Sequence, residues 1–429
     1  MKSRKYSVIF AILIMVIVST SVSLAAKPKE LNVCVMNNPQ SAILKNLLES
    51  GIYEKEFGVK VNIFQYSWDA MRQKVLTDFT ARVGTYDVIY LDVSWMREYA
   101  GLGVLEPLDK QIKGNFELND FIPVLLNNVG RWNNKLYTIP YESDVAHLFY
   151  RKDLFSDPNE KNAFRKKYGY ELTVPTTFSQ FKDVATFFTR DTDGDGKIDL
   201  YGTSHSGLRG STIWNDWRQY LYAWGGDVVD KQGKPVFNSK ESIAAMEYFN
   251  SLKPYMPSGV SSMTSGESVR AFTDGKVAMI MEWSAYAVNI VNSKIIDKVG
   301  VTVIPKQVRL ASGTSGDSLG VYTLSKNKTE AYRFIQWILG KKMMKVTALK
   351  GVPPARKSIL NDKEVQAVYP NLESFLKMYE LGTIVTEPRI AQWDQMRDKI
   401  GEALSQALTG SESVSRIFDK AQKEIERFF

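Results

Sequence analysis

The chain has 429 residues, a formal net charge of +8, 44% hydrophobic and 24% charged residues. That length exceeds one ordinary core and predicts two or more domains, and the globular composition excludes a disordered chain. One cysteine and two histidines exclude a disulfide framework and a histidine-built zinc centre, and without a Lys/Arg stripe carrying interleaved aromatics no nucleic-acid partner is expected.

The first residues read as an export signal. Lys2, Arg4 and Lys5 precede the apolar run YSVIFAILIMVIVS, and Ser23 and Ala25 are small residues at −3 and −1 of a cleavage after Ala25. The mature chain is then expected in a periplasm or at a cell surface. Its net charge falls to about +5 with the three basic residues gone.

From there strands and helices alternate. ELNVCVM, containing Cys34, reads as a buried strand, residues 42–58 as a helix, VKVNIFQY as a strand, residues 68–84 as a helix and YDVIYLD as a strand. This β-α-β-α-β order predicts a largely parallel sheet, with solutes at the carboxyl ends of its strands. Asn37, Asn38 and Asp92 stand at two of those ends. After GVLEPLD the pattern loosens through NNKLYTIPYESDVAHLFYRKDLF. The middle is helical over residues 176–190, 212–226 and 239–256, two short strands follow in KVAMIMEW and KVGVTVIP, and the last hundred residues are helices broken by KGVPPARKS. There is no internal repeat.

Residues 191–202, DTDGDGKIDLYG, hold four aspartates in nine positions. An EF-hand-type loop takes oxygen ligands at positions 1, 3, 5, 7 and 9, glycine at 6 and a bidentate glutamate at 12. Asp191, Asp193, Asp195, Gly196 and Asp199 fill positions 1, 3, 5, 6 and 9, and Lys197 offers its carbonyl at 7. Position 12 is Gly202. An incoming helix with Phe178, Phe181, Ala185 and Phe188 on one face is expected, but YGTSHSG is unsuited to an outgoing one. The loop therefore reads as a weak structural calcium clip or as a solvated Asp-Gly turn, and in neither case as a sensor. No cofactor is expected for function.

The pieces YDVIYLDVSWMREYAGLGVLEPLD, LYTIPYESDVAHLFYRKDLF, VPTTFSQF, AFTDGKVAMIMEWSAY, VGVTVIP, SLGVYTLSKNKTEAYRFIQWIL and KGVPPARKS, in this order over residues 30–429, resemble the solute-binding receptors of ABC sugar importers, extracellular family 1, of the maltose/trehalose-receptor kind. The resemblance implies an α/β, periplasmic-binding-protein type II fold: two discontinuous α/β lobes joined by a multi-crossing hinge around a ligand cleft. It places crossings near residues 142–145, 317–322 and 352–355. The N-terminal lobe then comprises residues 26–142 plus about 320–352, and the C-terminal lobe 143–319 plus about 353–429. It further implies a monomer that closes on a carbohydrate or polyol, performs no chemistry, and delivers the solute to permease subunits of an ABC transporter.

Sugars offer hydroxyls at their edges and C–H groups on their faces, which carboxylates, amides and aromatic rings recognise. By resemblance the candidates are Asp92 and Trp95 in LDVSW, Tyr141, Glu142 and Asp144 in PYESD, Trp283 with Tyr286 and Glu282 in MIMEWSAY, and Arg356 in PPARKS. Trp214 starts a helical Trp214–Trp217–Trp224 stripe whose ordinary reading is core, and Asn38 and Trp68 complete the set. Two alternatives share the same features: an exported glycoside hydrolase, which needs two carboxylates about 5–10 Å apart, and a receptor for a non-sugar solute.

Overall fold

The computed structural model describes residues 29–112, 116–369, 372–388, 390 and 392–429. The export signal expected over residues 1–25 lies outside them. The chain opens with strands β1 (Glu30–Met36), β2 (Lys60–Tyr66) and β3 (Val88–Asp92), and β1 pairs in parallel with both others. Val33, Cys34 and Val35 are fully buried, so both faces of β1 are covered, and burial pushes the Cys34 thiol well above its usual range. The single helix expected over residues 42–58 is two, Pro39–Glu49 and Ile52–Phe57. Gly51 between them has φ +71, which glycine adopts at no steric cost. Trp68–Thr80 then leads from β2 to β3.

A hairpin of β4 (Arg131–Trp132) and β5 (Lys135–Leu136) precedes β6 (Thr138–Pro140). β7 (Asp144–Arg151), the longest strand, founds a second sheet with β8 (Met279–Trp283), β9 (Val299–Val303) and β10 (Ala311–Ser315), whereas β11 (Asp317–Val321) returns to the first. The first sheet runs β2-β1-β3-β11-β6, with β11 antiparallel to β3 and β6. In the second, β7 pairs antiparallel with β8, β9 and β10, and β12 (Thr383–Val385) lies parallel to β10 at the edge. Two sheets with their helices make two lobes, the two-lobe α/β architecture that the resemblance implies.

Helix Ser211–Ala223 is the axle of the second lobe, packed on β10, Lys240–Ser251 and Trp393–Thr409. Helix Phe178–Phe188 is capped by Thr177, whose hydroxyl accepts from Gln180 N–H, and it buries Phe178, Phe181, Ala185 and Phe188. Each such ring contributes roughly 1.5–3 kcal/mol by leaving water. No described helix is long and apolar enough to cross a membrane.

The chain passes between the sheets at three adjacent strips of backbone. Tyr141 N–H donates to the Asp317 carbonyl and Ser143 N–H to that of Pro353, both at 2.9 Å, and Glu142 bridges Pro354. The passage from β10 to β11 falls at Gly316, with φ +125, a few residues before the boundary expected near 320. Nor do residues 355–358 yet belong to the second lobe. Ile122 N–H donates to the Ala355 carbonyl, and Ser358 bonds Asp120 through both its N–H and its hydroxyl. The chain reaches the second sheet only with helix Glu373–Leu381, which packs on β7 and β9.

Candidate functional site

Between the lobes lies a cavity of about 210 Å³ whose lining includes Asn38, Gln40, Trp68, Asp92, Glu142, Asp144, Asn215, Arg218, Ser265, Trp283, Tyr286 and Asp317. Strand ends supply most of them. Asn38 follows β1 and caps helix Pro39–Glu49, accepting from Ser41 N–H at 2.7 Å while its Nδ2 donates to Asp317 Oδ2 at 2.6 Å. Asp92 ends β3 and caps helix Val93–Leu102, accepting from the Ser94 N–H (2.7 Å) and hydroxyl (2.5 Å). Asp317 begins β11 directly opposite Asp92 in the antiparallel register. Asp144 begins β7 and accepts from Ala285 N–H at 2.9 Å and Ser284 Oγ at 3.2 Å. Trp283 ends β8.

Four carboxylates therefore face one small space, and Glu142, Asp144 and Asp317 are buried. Burial raises Asp92. Burial with the neighbouring acids holds Glu142 and Asp317 well above the carboxylate range. Burial pushes Asp144 up to about 7, against the opposing pull of the Ala285 and Ser284 donors and of Arg218. One Glu142 oxygen, Oε2, is buried without a hydrogen-bond partner, a standing demand for a donor. Arg218 is the cation of the wall. Its guanidinium lies 4.5 Å from the Trp283 ring centroid and donates to Glu387 Oε1 at 3.1 Å. Gln40 Nε2 donates to the Ala285 carbonyl, a direct bond from one lobe to the other.

Of the candidates from sequence, Asn38, Trp68, Asp92, Glu142, Asp144, Trp283 and Tyr286 line this cavity. Four do not. Trp95 is 3% exposed, packed between Trp68 and Tyr99, and borders a separate groove. Tyr141 is buried against Tyr90 behind the hinge. Trp214 is fully buried, and its Nε1 donates to Glu387. Arg356 is a buried staple: it donates to the carbonyls of Leu339, Glu117 and Phe116 and to Asp120, and its guanidinium lies 4.1 Å from the Phe121 ring. Glu282, the weaker companion of Trp283, is 1% exposed and not among the lining residues.

Gln40, Asn215, Arg218, Ser265 and Asp317 escape the sequence reading. Arg218 is four residues after Trp214 on a helix that reads as aromatic core, and that spacing was the available signal. Asp317 falls in a Gly/Ser-rich stretch without strand periodicity.

The aspartate loop lies elsewhere, on the surface of the second lobe. Asp191, Asp193 and Asp195 bring one carboxylate oxygen each within 4.8 Å of one another, a span that a calcium ion with oxygen ligands at 2.3–2.6 Å can bridge. Asp199 does not join them but accepts from Thr192 N–H at 2.9 Å and Thr192 Oγ1 at 2.6 Å. Lys197 N–H donates to Asp195 Oδ1.

The sequence profile of the bacterial extracellular solute-binding protein family matches residues 52–372. A mannitol-binding protein of Pseudomonas aeruginosa is 23% identical over 94% of either chain, and a probable amino-acid ABC transporter periplasmic-binding protein of Sinorhizobium fredii is 23% identical over 86% of this chain and 84% of its own. Among solved structures, an ABC transporter solute-binding protein of Agrobacterium radiobacter in complex with ribitol superposes with a TM-score of 0.81 at 27% identity, covering 94% of this chain and all of that one. A maltose-bound binding protein of T. maritima gives 0.78 at 25% identity, covering 93% of this chain and all of that one. With three quarters of its length under that profile and a hinged two-lobe fold around an acid-lined cavity, this chain belongs to the bacterial extracellular solute-binding protein family.

Proposed function

We propose that this protein is the solute receptor of an ABC importer, exported and monomeric, which closes its lobes on a carbohydrate or polyol and hands it unchanged to the permease subunits. The observation that carries the reading is the lining of the interlobe cavity: four carboxylates, an orphan acceptor on Glu142, the four amides of Asn37, Asn38, Gln40 and Asn215, and the rings of Trp68, Trp283 and Tyr286. Hydroxyls would donate to the acids, whose charged form they favour, and ring C–H faces would lie on the aromatics. Asn38, Asp92, Glu142, Asp144, Asp317 and Trp283 are the residues assigned to the solute.

An amino acid, the solute named for one relative, suits this lining less. Its carboxylate would meet four others, and the one arginine of the wall is already paired with Glu387. A polyol or sugar carries no charge to place. Calcium in the Asp191–Asp195 loop would be structural, with no part in binding.

A thermal-shift panel of sugars, alditols, amino acids and peptides tests this. A hydroxylated solute at a hundred times its dissociation constant should add about 2.7 kcal/mol of stability and remain chemically unchanged on incubation. Stabilisation by amino acids alone, or consumption of the stabilising sugar, would overturn the reading.

A further inference from the structure

Glu387, in the segment before helix Trp393–Thr409, uses both carboxylate oxygens. Oε1 accepts from Trp214 Nε1 and from Arg218, each at 3.1 Å, and Oε2 accepts from Trp393 Nε1 at 2.9 Å with Arg397 at 3.8 Å. Glu387 is thus the counter-ion of Arg218 and a second one for Arg397, whose Nη2 also donates to Asp394 Oδ1 at 3.1 Å, and both guanidiniums are nearly out of solvent: Arg218 is 2% and Arg397 9% exposed. They point to different places. Arg218 lies on Trp283 and forms the cavity wall, whereas the Arg397 guanidinium stands 5.6 Å from the ring centroid of Trp68. Trp68 belongs to the first lobe, Arg397 to a helix packed on the axle of the second. The contact bridges the cleft beside the cavity, where Trp68, Arg218, Glu387 and Arg397 together line an adjoining space of about 470 Å³.

We propose that Arg397 on Trp68 is an interlobe latch and that Glu387 is the positioning residue which sets the latch and the solute wall together. Glu387 touches both the guanidinium that spans the cleft and the one that faces the solute, so an arrangement of the wall that displaces Glu387 leaves Arg397 to the exposed Asp394 carboxylate alone and weakens the latch. A desolvated cation–π contact is stronger than an exposed one, so the latch holds best when closure has expelled water. The inference rests on the cavity being the solute site, but its first test needs no solute.

Spin labels at Val83→Cys and Val308→Cys, exposed positions on the two lobes, report the interlobe distance by pulsed electron resonance, and the buried native Cys34 stays unlabelled. The distance distribution is read without solute and with D-mannitol for the parent, Arg397→Met, Arg397→Lys and Glu387→Gln. Arg397→Met should reduce the short-distance population by about threefold or more, the equilibrium weight of one such contact. Arg397→Lys, which keeps the cation, should recover part of it, and Glu387→Gln should fall between them. A merely structural role would lower the melting temperature of Arg397→Met and Arg397→Lys alike and leave their distance distributions at the parent's. That result, or the absence of a short-distance population in the parent under both conditions, would overturn the latch. Failure of the cavity as a solute site would appear separately, as a thermal-shift panel without response.

Discussion

The cleft and the surface loop each bring aspartates together, and the two groups behave in opposite ways. In the loop, Asp191, Asp193, Asp195 and Asp199 come from nine consecutive residues, stand in water, and are served by local donors. The Gly196 and Gly194 N–H groups hold Asp191 below the usual carboxylate range, and the Thr192 hydroxyl and N–H do the same for Asp199. In the cleft, Asp92, the pair Glu142 and Asp144, and Asp317 come from three distant places, and burial moves every one of them upward. Proximity alone does not prepare a carboxylate for a ligand. Desolvation with an unanswered acceptor does, because a hydroxyl arriving there replaces nothing that water was already supplying.

The widest separation between the two regions should come from paired substitutions. Asp144→Ala is expected to weaken solute binding by about 100-fold, or 2.7 kcal/mol, the loss of hydrogen bonds to a buried charge. Asp193→Asn should leave affinity unchanged. Titration calorimetry of both variants with the stabilising solute checks this, and equal losses would dissolve the distinction. Trp283→Leu should cost about tenfold in affinity, the scale of one aromatic face. It also removes the ring beneath Arg218, so a change confined to melting temperature would mean that the ring supports the wall and does not meet the solute.

The pH dependence sharpens the contrast. Asp144 titrates near 7 in the unliganded fold, above its unfolded value. The folded state therefore holds the extra proton across that interval, and its contribution to stability, complete below the unfolded pKa, is lost as pH rises through about 7. Solute hydroxyls favour the charged form, so affinity should rise from pH 6 to pH 8, the reverse of the trend in unliganded stability. Calorimetry and thermal melts over that range check both slopes. For the loop the signs invert: the lowered Asp191 and Asp199 stabilise the fold above their unfolded pKa and lose that contribution as pH falls through their folded values. The smallest expected effect is that of calcium. A chelator should lower the melting temperature by about 2 °C, corresponding to roughly 1 kcal/mol from a weak site, without changing affinity. A chelator that abolished solute binding would join two regions held here to be independent.

The same contrast explains what could be read from the chain. The loop is local, so its spacing announced that Asp191, Asp193 and Asp195 come together, whereas Asp199 is claimed by Thr192. β1, β2 and β3 were legible because their apolar runs and intervening helices have clear periods, and Asn38 and Asp92 were legible as strand ends. β7 was not, since DVAHLFYR reads as neither alternation nor an apolar run, although it pairs with three strands. β10 and β11, in ASGTSGDSLGV, look like a loop by composition and become strands because they lie beside β7 and β3. Arg356 was misplaced for a related reason: the carbonyls it serves belong to residues 116, 117 and 339, and no spacing in the sequence joins them. Glu387 has no periodic neighbour at all, and its role depends on four side chains brought to it by tertiary packing.

The account turns on whether the desolvated acids, and not the exposed ones, hold a hydroxylated solute. The most direct measurement is calorimetric titration of the best sugar or alditol from the panel into the parent protein, Asp144→Ala and Asp193→Asn at pH 8. The expected result is one solute per chain in the parent and in Asp193→Asn, with affinity about 100-fold weaker in Asp144→Ala while that variant melts no lower than the parent. Undiminished binding by Asp144→Ala would contradict it.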